Sequence, residues 1–200
     1  MTSKDGITVR NRQTRPGGRT QRHTQAIFDC TLTLLAEKGY AALAFNDVAE
    51  AAGVSRSTLY RRWSSRAELV LDAIGVSLTE QIVAPDTGSL REDLRSTLKQ
   101  IGTYISTPLG AAALVASIEI GTSAADPSRP DRWRSRLADF DPMFDRAVAR
   151  GEIPSDFDRA AAFALAAGAI HFRRIFTGDA ADDEWADRVM ASWEALLKRN

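Results

Sequence analysis

From about Thr20 to the end of the chain, hydrophobic positions recur at intervals of three and four, as they do in helices that bury one face. Thr20–Lys38 places Ile27, Thr31, Leu34 and Leu35 on one side, and Gly39 ends the run. Asn46–Ala52 is a short helix whose narrow apolar face is Val48, Ala49 and Ala52. Ser65–Ile82 aligns Val70, Ala73, Ile74, Ser77, Leu78 and Ile82. The turn-rich stretch at 84–89 interrupts the pattern, and Leu90–Thr107 and Leu109–Ala124 resume it, with Pro108 suited to a helix start. Within the second of these, AAALVASIEI is almost all apolar or small, which predicts a central position in the C-terminal body. After a loop at Ala125–Pro130, Asp131–Arg150 carries Trp133, Leu137, Phe140, Phe144 and Val148 at helical spacing. Pro142 predicts a break in it near Phe140–Asp141. Asp156–Thr177 and Asp182–Lys198 close the chain. The expected fold class is all-α, with about nine helices.

One stretch is organised differently. Phe45–Arg66, FNDVAEAAGVSRSTLYRRWSSR, reads as two short helices joined by a tight turn. Gly53 suits the left-handed conformation in which helices end, and Ser55 is a good N-cap for the second helix. Leu59 and Trp63, four apart, face inward with Val54, which leaves Arg56, Ser57, Tyr60 and Arg61 facing out. Ser65 with Glu68 three residues on has the capping-box pattern and opens the next helix. This is the layout of a helix-turn-helix, whose second helix enters the major groove of DNA.

The order AGVSRSTLYRRW resembles the helix-turn-helix of the TetR family of bacterial transcriptional regulators, within it the group whose recognition helix ends in Arg-Arg-Trp. The resemblance rests on the Ala-Gly-Val-Ser turn, Thr-Leu-Tyr, the aromatic at Trp63 and Ser-Arg-x-Glu-Leu, and is strong over residues 20–75. Beyond that it is one of helix layout. It implies that Arg56, Ser57 and Tyr60 face base edges. Thr58, Tyr60, Arg61, Arg62 and Arg66 match, or lie beside, positions that hold the sugar-phosphate backbone, and Asn46 joins the DNA-binding set. Where family members often carry hydroxyl residues this chain has Ala44 and Phe45; Ala44 cannot cap its helix, although Asp47 suits the positive helix start.

The resemblance further implies a division into a basic arm at 1–19, a DNA-binding domain at 20–66 and a helical regulatory and dimerisation domain at 67–200. It implies a pocket for a small-molecule effector, with Tyr104, Glu119, Trp133, Phe140, Met143, Phe144 and His171 as candidates. Glu119, a carboxylate between Ile118 and Ile120, either reaches solvent, pairs with an arginine such as Arg173 or Arg174, or awaits a polar or cationic ligand. The last two helices are expected to form a homodimer interface. The first is rich in small residues, Ala164 and Gly168 among them, and the second carries Trp185, Val189, Trp193 and Leu196 on one stripe. The alternative for both stripes is internal core. The expected function is a ligand-responsive regulator, a repressor that binds a pseudo-palindromic operator in double-stranded DNA as a dimer and is released by its effector.

Composition agrees with this and narrows the alternatives. A hydrophobic content of 44% in 200 residues allows a real core. The formal net charge is zero, yet residues 1–66 hold 11 lysines and arginines against 5 acidic residues, whereas 67–200 hold 15 against 21. A basic head on an acidic body suits a protein presenting one end to a polyanion. The single cysteine, Cys30, excludes an intramolecular disulfide. No apolar run has the length of a membrane span and the N-terminus lacks a signal-peptide core, so a cytoplasmic protein is expected. Two distant histidines, His23 and His171, and one cysteine argue against a zinc site, and the Pro-Gly-Gly near the N-terminus is no phosphate loop. No metal and no cofactor is expected. An enzyme or a helical adaptor without DNA binding are the competing classes.

Overall fold

A computed structural model describes the backbone of residues 17–123 and 129–197 and the side chains of 21–122 and 134–195. Among these residues there is no strand. The helices are α1 (Gly17–Ala42), α2 (Phe45–Ala51), α3 (Arg56–Arg62), α4 (Arg66–Gln81), α5 (Leu90–Ser106), α6 (Pro108–Ser123), α7 (Arg129–Ala138), α8 (Asp141–Ala149), α9 (Arg159–Phe172) and α10 (Asp183–Leu197). A π-helical turn, Arg173–Thr177, prolongs α9 until Gly178 adopts φ 74°. The expectations for residues 1–16, 124–128 and Lys198 lie outside the described residues. Gly17–Arg19, expected in the arm, are the first turn of α1, and Arg129 and Pro130, expected in a loop, begin α7.

The expected breaks occur for the expected reasons. Gly39 leaves the helical conformation inside α1 (φ 73°, ψ 167°). The long helix predicted over 131–150 is two, because Pro142 sits in the first turn of α8, where its missing N–H costs no helical bond.

The helices close around two cores. The head gathers Ile27, Phe28 and Leu35 of α1, Leu43, Phe45 and Val48, Leu59 and Trp63, and Leu69 to Ile74 of α4. Ala113, Ala116 and Ile120 of α6 complete it, so α6, expected at the centre of the body, instead buries its small face on the head and leaves Val115 and Ile118 exposed. The body gathers α5, α8, α9 and α10 around Leu94, Leu98, Phe144, Phe163, Ile170 and Met190. α4 belongs to both: its first half is in the head, its C-cap Ile82 is in the body, and Leu78 packs against each.

Two further features position the site. α5 and α6 bend by 92° at Thr107. The Gly110 N–H donates to the Thr107 hydroxyl at 3.0 Å, and a Cβ on Gly110 would run into the Tyr104 carbonyl. α10 is strapped along α5 by ion pairs four residues apart, Arg91 with Glu194 (2.7 Å), Arg95 with Asp187 and Lys99 with Asp183 (2.5 Å). The hydrogen bond from Arg95 holds the Asp187 carboxyl below the usual aspartate range. No single described helix is long and apolar enough to cross a membrane.

Candidate nucleic-acid interface and the cavity behind it

The helix pair α2–α3 is built as its sequence dictates. Ala44 makes no side-chain cap, and α2 relies instead on Asp47, which also pairs with Lys38 at 3.0 Å. Gly53 turns the chain at φ 64°, and the Val54 N–H donates to the Ala49 carbonyl at 2.9 Å. Ser55 caps α3 by accepting from the Thr58 N–H, and its hydroxyl lies 2.9 Å from those of both Ser57 and Thr58. Leu59 and Trp63 anchor the helix from beneath. Trp63 packs against Phe28 with ring centres 5.7 Å apart and donates its indole N–H to Asp72 of α4 at 2.8 Å. α4 is capped by Ser65, while Glu68 accepts from the Ser64 N–H at 2.7 Å.

What this scaffold presents is an exposed face of Arg56, Ser57, Tyr60 and Arg61, with Asn46 exposed on α2 beside it. Tyr60 is 61% exposed and stands edge-on to Phe45 at 4.8 Å, so its hydroxyl end is held out from the surface. Among the described residues, Arg56 and Arg61 pair with no carboxylate. The other candidates are engaged within the fold. Thr58 is half-buried in the cap of α3. Arg62 donates to the Thr24 hydroxyl at 2.5 Å and lies over the Trp63 ring at 4.9 Å, tying α3 to α1. Arg66 donates to the Leu43 carbonyl at 2.7 Å and stacks on Tyr40 at 4.2 Å, tying α4 to the α1–α2 linker.

Behind the head, a cavity of about 440 Å³ lies between α4, α5, α6, α7 and α9. Its walls are mainly aliphatic and aromatic, and it reaches the surface where Ser117, Ala164 and Gly168 are exposed. Of the expected pocket residues, Tyr104, Phe140 and His171 line it. Burial raises the Tyr104 pKa and a hydrogen bond with Ser77 (3.3 Å) partly offsets this, so the phenol is neutral at physiological pH. Met143 and Phe144 do not line the cavity; they are fully buried in the body core. The break at Phe140 gives α7 and α8 separate axes, so helical spacing across it does not keep one face. Glu119 is half-buried on α6 and outside the cavity lining; Arg173 and Arg174 turn to the carbonyls of Ala180 and Gly178. The side chain of Trp133 lies outside the described residues.

Sequence reasoning missed the most engaged polar group at this cavity, Arg136 of α7. Its side chain is 11% exposed. Nη1 donates to Asp139 at 2.7 Å and approaches the Thr79 hydroxyl at 3.5 Å; Nη2 donates to the carbonyls of Leu78 (3.0 Å) and Ile82 (3.2 Å). A cation thus sits on the C-terminal carbonyls of α4, where the helix dipole favours it. Arg136 also lies over the Phe140 ring at 5.1 Å. An arginine four residues before that phenylalanine was the only available signal, and five other arginines lie within 129–150.

On the far side, the stripe read on α10 divides. Trp193 faces inward: it is buried in the chain's own core and donates to the Ala162 carbonyl at 3.1 Å. Trp185 and Val189 are half-buried at the edge of that core. On α9, Ala164 and Gly168 are exposed beside Leu165 and Phe172, which are 62% and 59% exposed. Phe172 stacks on Phe176, the latter 72% exposed on the π-helical turn. Among the described residues, no group of three or more histidine, cysteine, aspartate or glutamate side chains is placed to hold a metal ion.

Comparison with known proteins places this geometry. Residues 27–73 match the family described as bacterial regulatory proteins, tetR family, and residues 84–192 match the tetracyclin repressor-like C-terminal domain. The chain is 30% identical over 154 residues to the HTH-type transcriptional regulator AqdR of Rhodococcus erythropolis, covering 76% of this chain and 74% of that protein. It is 31% identical over 177 residues to the DNA-binding transcriptional repressor TetR of Mycobacteroides abscessus, covering 86% and 92%. Its fold is similar to that of the TetR family transcription regulator SCO0332, with a TM-score of 0.68 and 27% identity over 84% of this chain and 94% of that one. These families and relatives are transcriptional regulators and not enzymes. The chain belongs to the TetR family of DNA-binding transcriptional regulators.

Proposed function

We propose that this chain is a ligand-responsive repressor that binds a pseudo-palindromic operator as a homodimer and leaves it when a small molecule fills the cavity. The observation that carries this reading is the double attachment of α4. Its first half is packed under α3, whereas Ile74, Leu78 and Ile82 wall the cavity and Arg136 grips its last carbonyls. A molecule that displaces these contacts shifts α4, and α3 with it. Because two recognition helices must reach successive major grooves about 34 Å apart, a small tilt of each weakens binding. Turning a 99:1 preference into 1:99 takes roughly 5.5 kcal/mol of differential binding, within reach of a ligand in each subunit.

Within that dimer, Arg56, Ser57 and Tyr60 read base edges. Arg56 is the side chain best suited to grip a guanine through two hydrogen bonds. Arg61 and Asn46 hold the backbone, and Arg62 and Arg66 act chiefly as ties between helices. The partner sits on the α9 face of Ala164, Leu165, Gly168 and Phe172 with the edge of α10 at Trp185 and Val189, where small residues admit a close backbone and exposed aromatics need covering. Two measurements test the reading together. Sedimentation should show a dimer, and fluorescence anisotropy on a selected operator should show affinity falling steeply as salt rises and falling again on addition of a cavity ligand. A monomer that retains duplex DNA without sequence preference would refute it.

A further inference from the structure

Resting on the reading of the cavity as an effector site, the positions of its protons say what chemistry it takes. Most of the wall is hydrocarbon, including Ile74, Ile101, Leu114 and Phe163, and a volume of about 440 Å³ suits a small molecule. Two polar groups of that wall, His171 and Ser117, have their donor hydrogens engaged by backbone carbonyls. His171 Nδ1 lies 2.8 Å from the Ala167 carbonyl oxygen. A carbonyl can only accept, so Nδ1 carries the hydrogen and, in the neutral ring, Nε2 is left with its lone pair. The Ser117 hydroxyl donates to the Ala113 carbonyl at 2.8 Å, leaving only its oxygen lone pairs. Tyr104 and Ser77 share one hydrogen bond, which occupies one of their two hydroxyl hydrogens. The cation at the wall is already neutralised: the four terminal N–H groups of Arg136 meet Asp139, Thr79, Leu78 and Ile82, and Asp139 supplies the balancing charge. A carboxylate entering the cavity meets a cation already balanced by Asp139, whereas a donor finds acceptors at His171 and Ser117.

We infer that the cavity takes a largely apolar, uncharged molecule bearing one hydroxyl or N–H group, which donates to His171 Nε2 with Ser117 Oγ as the neighbouring acceptor. An apolar body fills the aliphatic wall between α4 and α5. A ligand with an acceptor in place of the donor leaves Nε2 desolvated and unmatched.

The test uses the full chain and three probes with the same alkyl chain, 4-heptylphenol, its methyl ether and 4-heptylbenzoate, measured by isothermal titration calorimetry. The phenol should bind about tenfold tighter than the ether, since a buried acceptor left without a partner is costly, and the benzoate should be the weakest. In His171→Leu, with helical circular dichroism retained, the phenol should fall to the level of the ether while the ether is unchanged. Should the variant not fold, the ranking of the three probes on the native chain decides alone. Equal binding of phenol and ether, or tightest binding of the benzoate, would overturn the donor assignment and leave the cavity reading standing. Failure of all three to bind would overturn both.

Discussion

The head and the body are packed to opposite ends. In the head, buried residues exist to hold a surface: Phe28, Leu59 and Trp63 fix α3 so that Arg56, Tyr60 and Arg61 point into solvent. In the body, the helices close around an interior space, and polar groups such as Arg136 and His171 are turned toward it. The arginines make the contrast concrete. Arg56 is exposed and, among the described residues, pairs with no carboxylate, whereas Arg136 is held by a carboxylate and two helix-terminal carbonyls. One region leaves its charges free at the surface, and the other holds them in contacts within the fold. α4 runs through both, and in the proposed mechanism a change at one end bears on display at the other.

The strongest way to break this comparison is to remove the tryptophan from each side. Trp63→Ala and Trp193→Ala should each cost about 3–5 kcal/mol in chemical denaturation, as loss of a buried aromatic does. Trp63→Ala should also abolish DNA binding under conditions where the protein remains folded, whereas folded Trp193→Ala should still bind; equal loss in both would mean that head and body do not divide the work. Next, Arg56→Ala should cost about 1–3 kcal/mol in operator affinity and relax preference at one base position, leaving the denaturation midpoint unchanged.

Arg136→Ala should lower stability by about 1–2 kcal/mol, because the last carbonyls of α4 lose a charged partner. It should also shrink the effect of a cavity ligand on operator affinity, and an undiminished effect would remove Arg136 from the coupling. Arg61→Ala should weaken all duplexes alike and reduce the slope of log affinity against log salt by about 0.9, the loss of one phosphate contact. The smallest effect belongs to Asp187→Asn. The pKa of Asp187 is depressed by Arg95, so its contribution is present above the ordinary aspartate value and lost as pH falls. The variant should therefore differ from the native chain at neutral pH and converge with it in acid; a difference that persists in acid would point to packing.

The difference between the regions also explains what was legible in the sequence. The head is a local device: Gly53, the Ser55 cap, Leu59 and Trp63 lie within a dozen residues, so their spacing alone gives which side of α3 faces out. The breaks at Gly39 and before Pro142 were legible for the same reason. The cavity is a product of tertiary packing. Tyr104, Phe140 and His171 come from three separate parts of the chain, and nothing local separates them from Met143 and Phe144, which the change of axis at Phe140 turns into the core. Arg62 and Arg66 match phosphate-holding positions by resemblance, and sequence does not show the Thr24 hydroxyl or Leu43 carbonyl that each also engages. Trp193 matched an interface stripe by spacing, and only the position of Ala162 shows that its indole faces inward.

The central claim, that α3 is displayed twice to read a duplex, is tested most directly by selecting bound fragments from a random duplex pool and repeating the selection with Arg56→Ala. The native chain should enrich an inverted repeat with half-sites about one helical turn apart, and the variant should lose preference at one symmetric pair of positions. No enrichment by the native chain, or the same repeat returned unchanged by the variant, would contradict it.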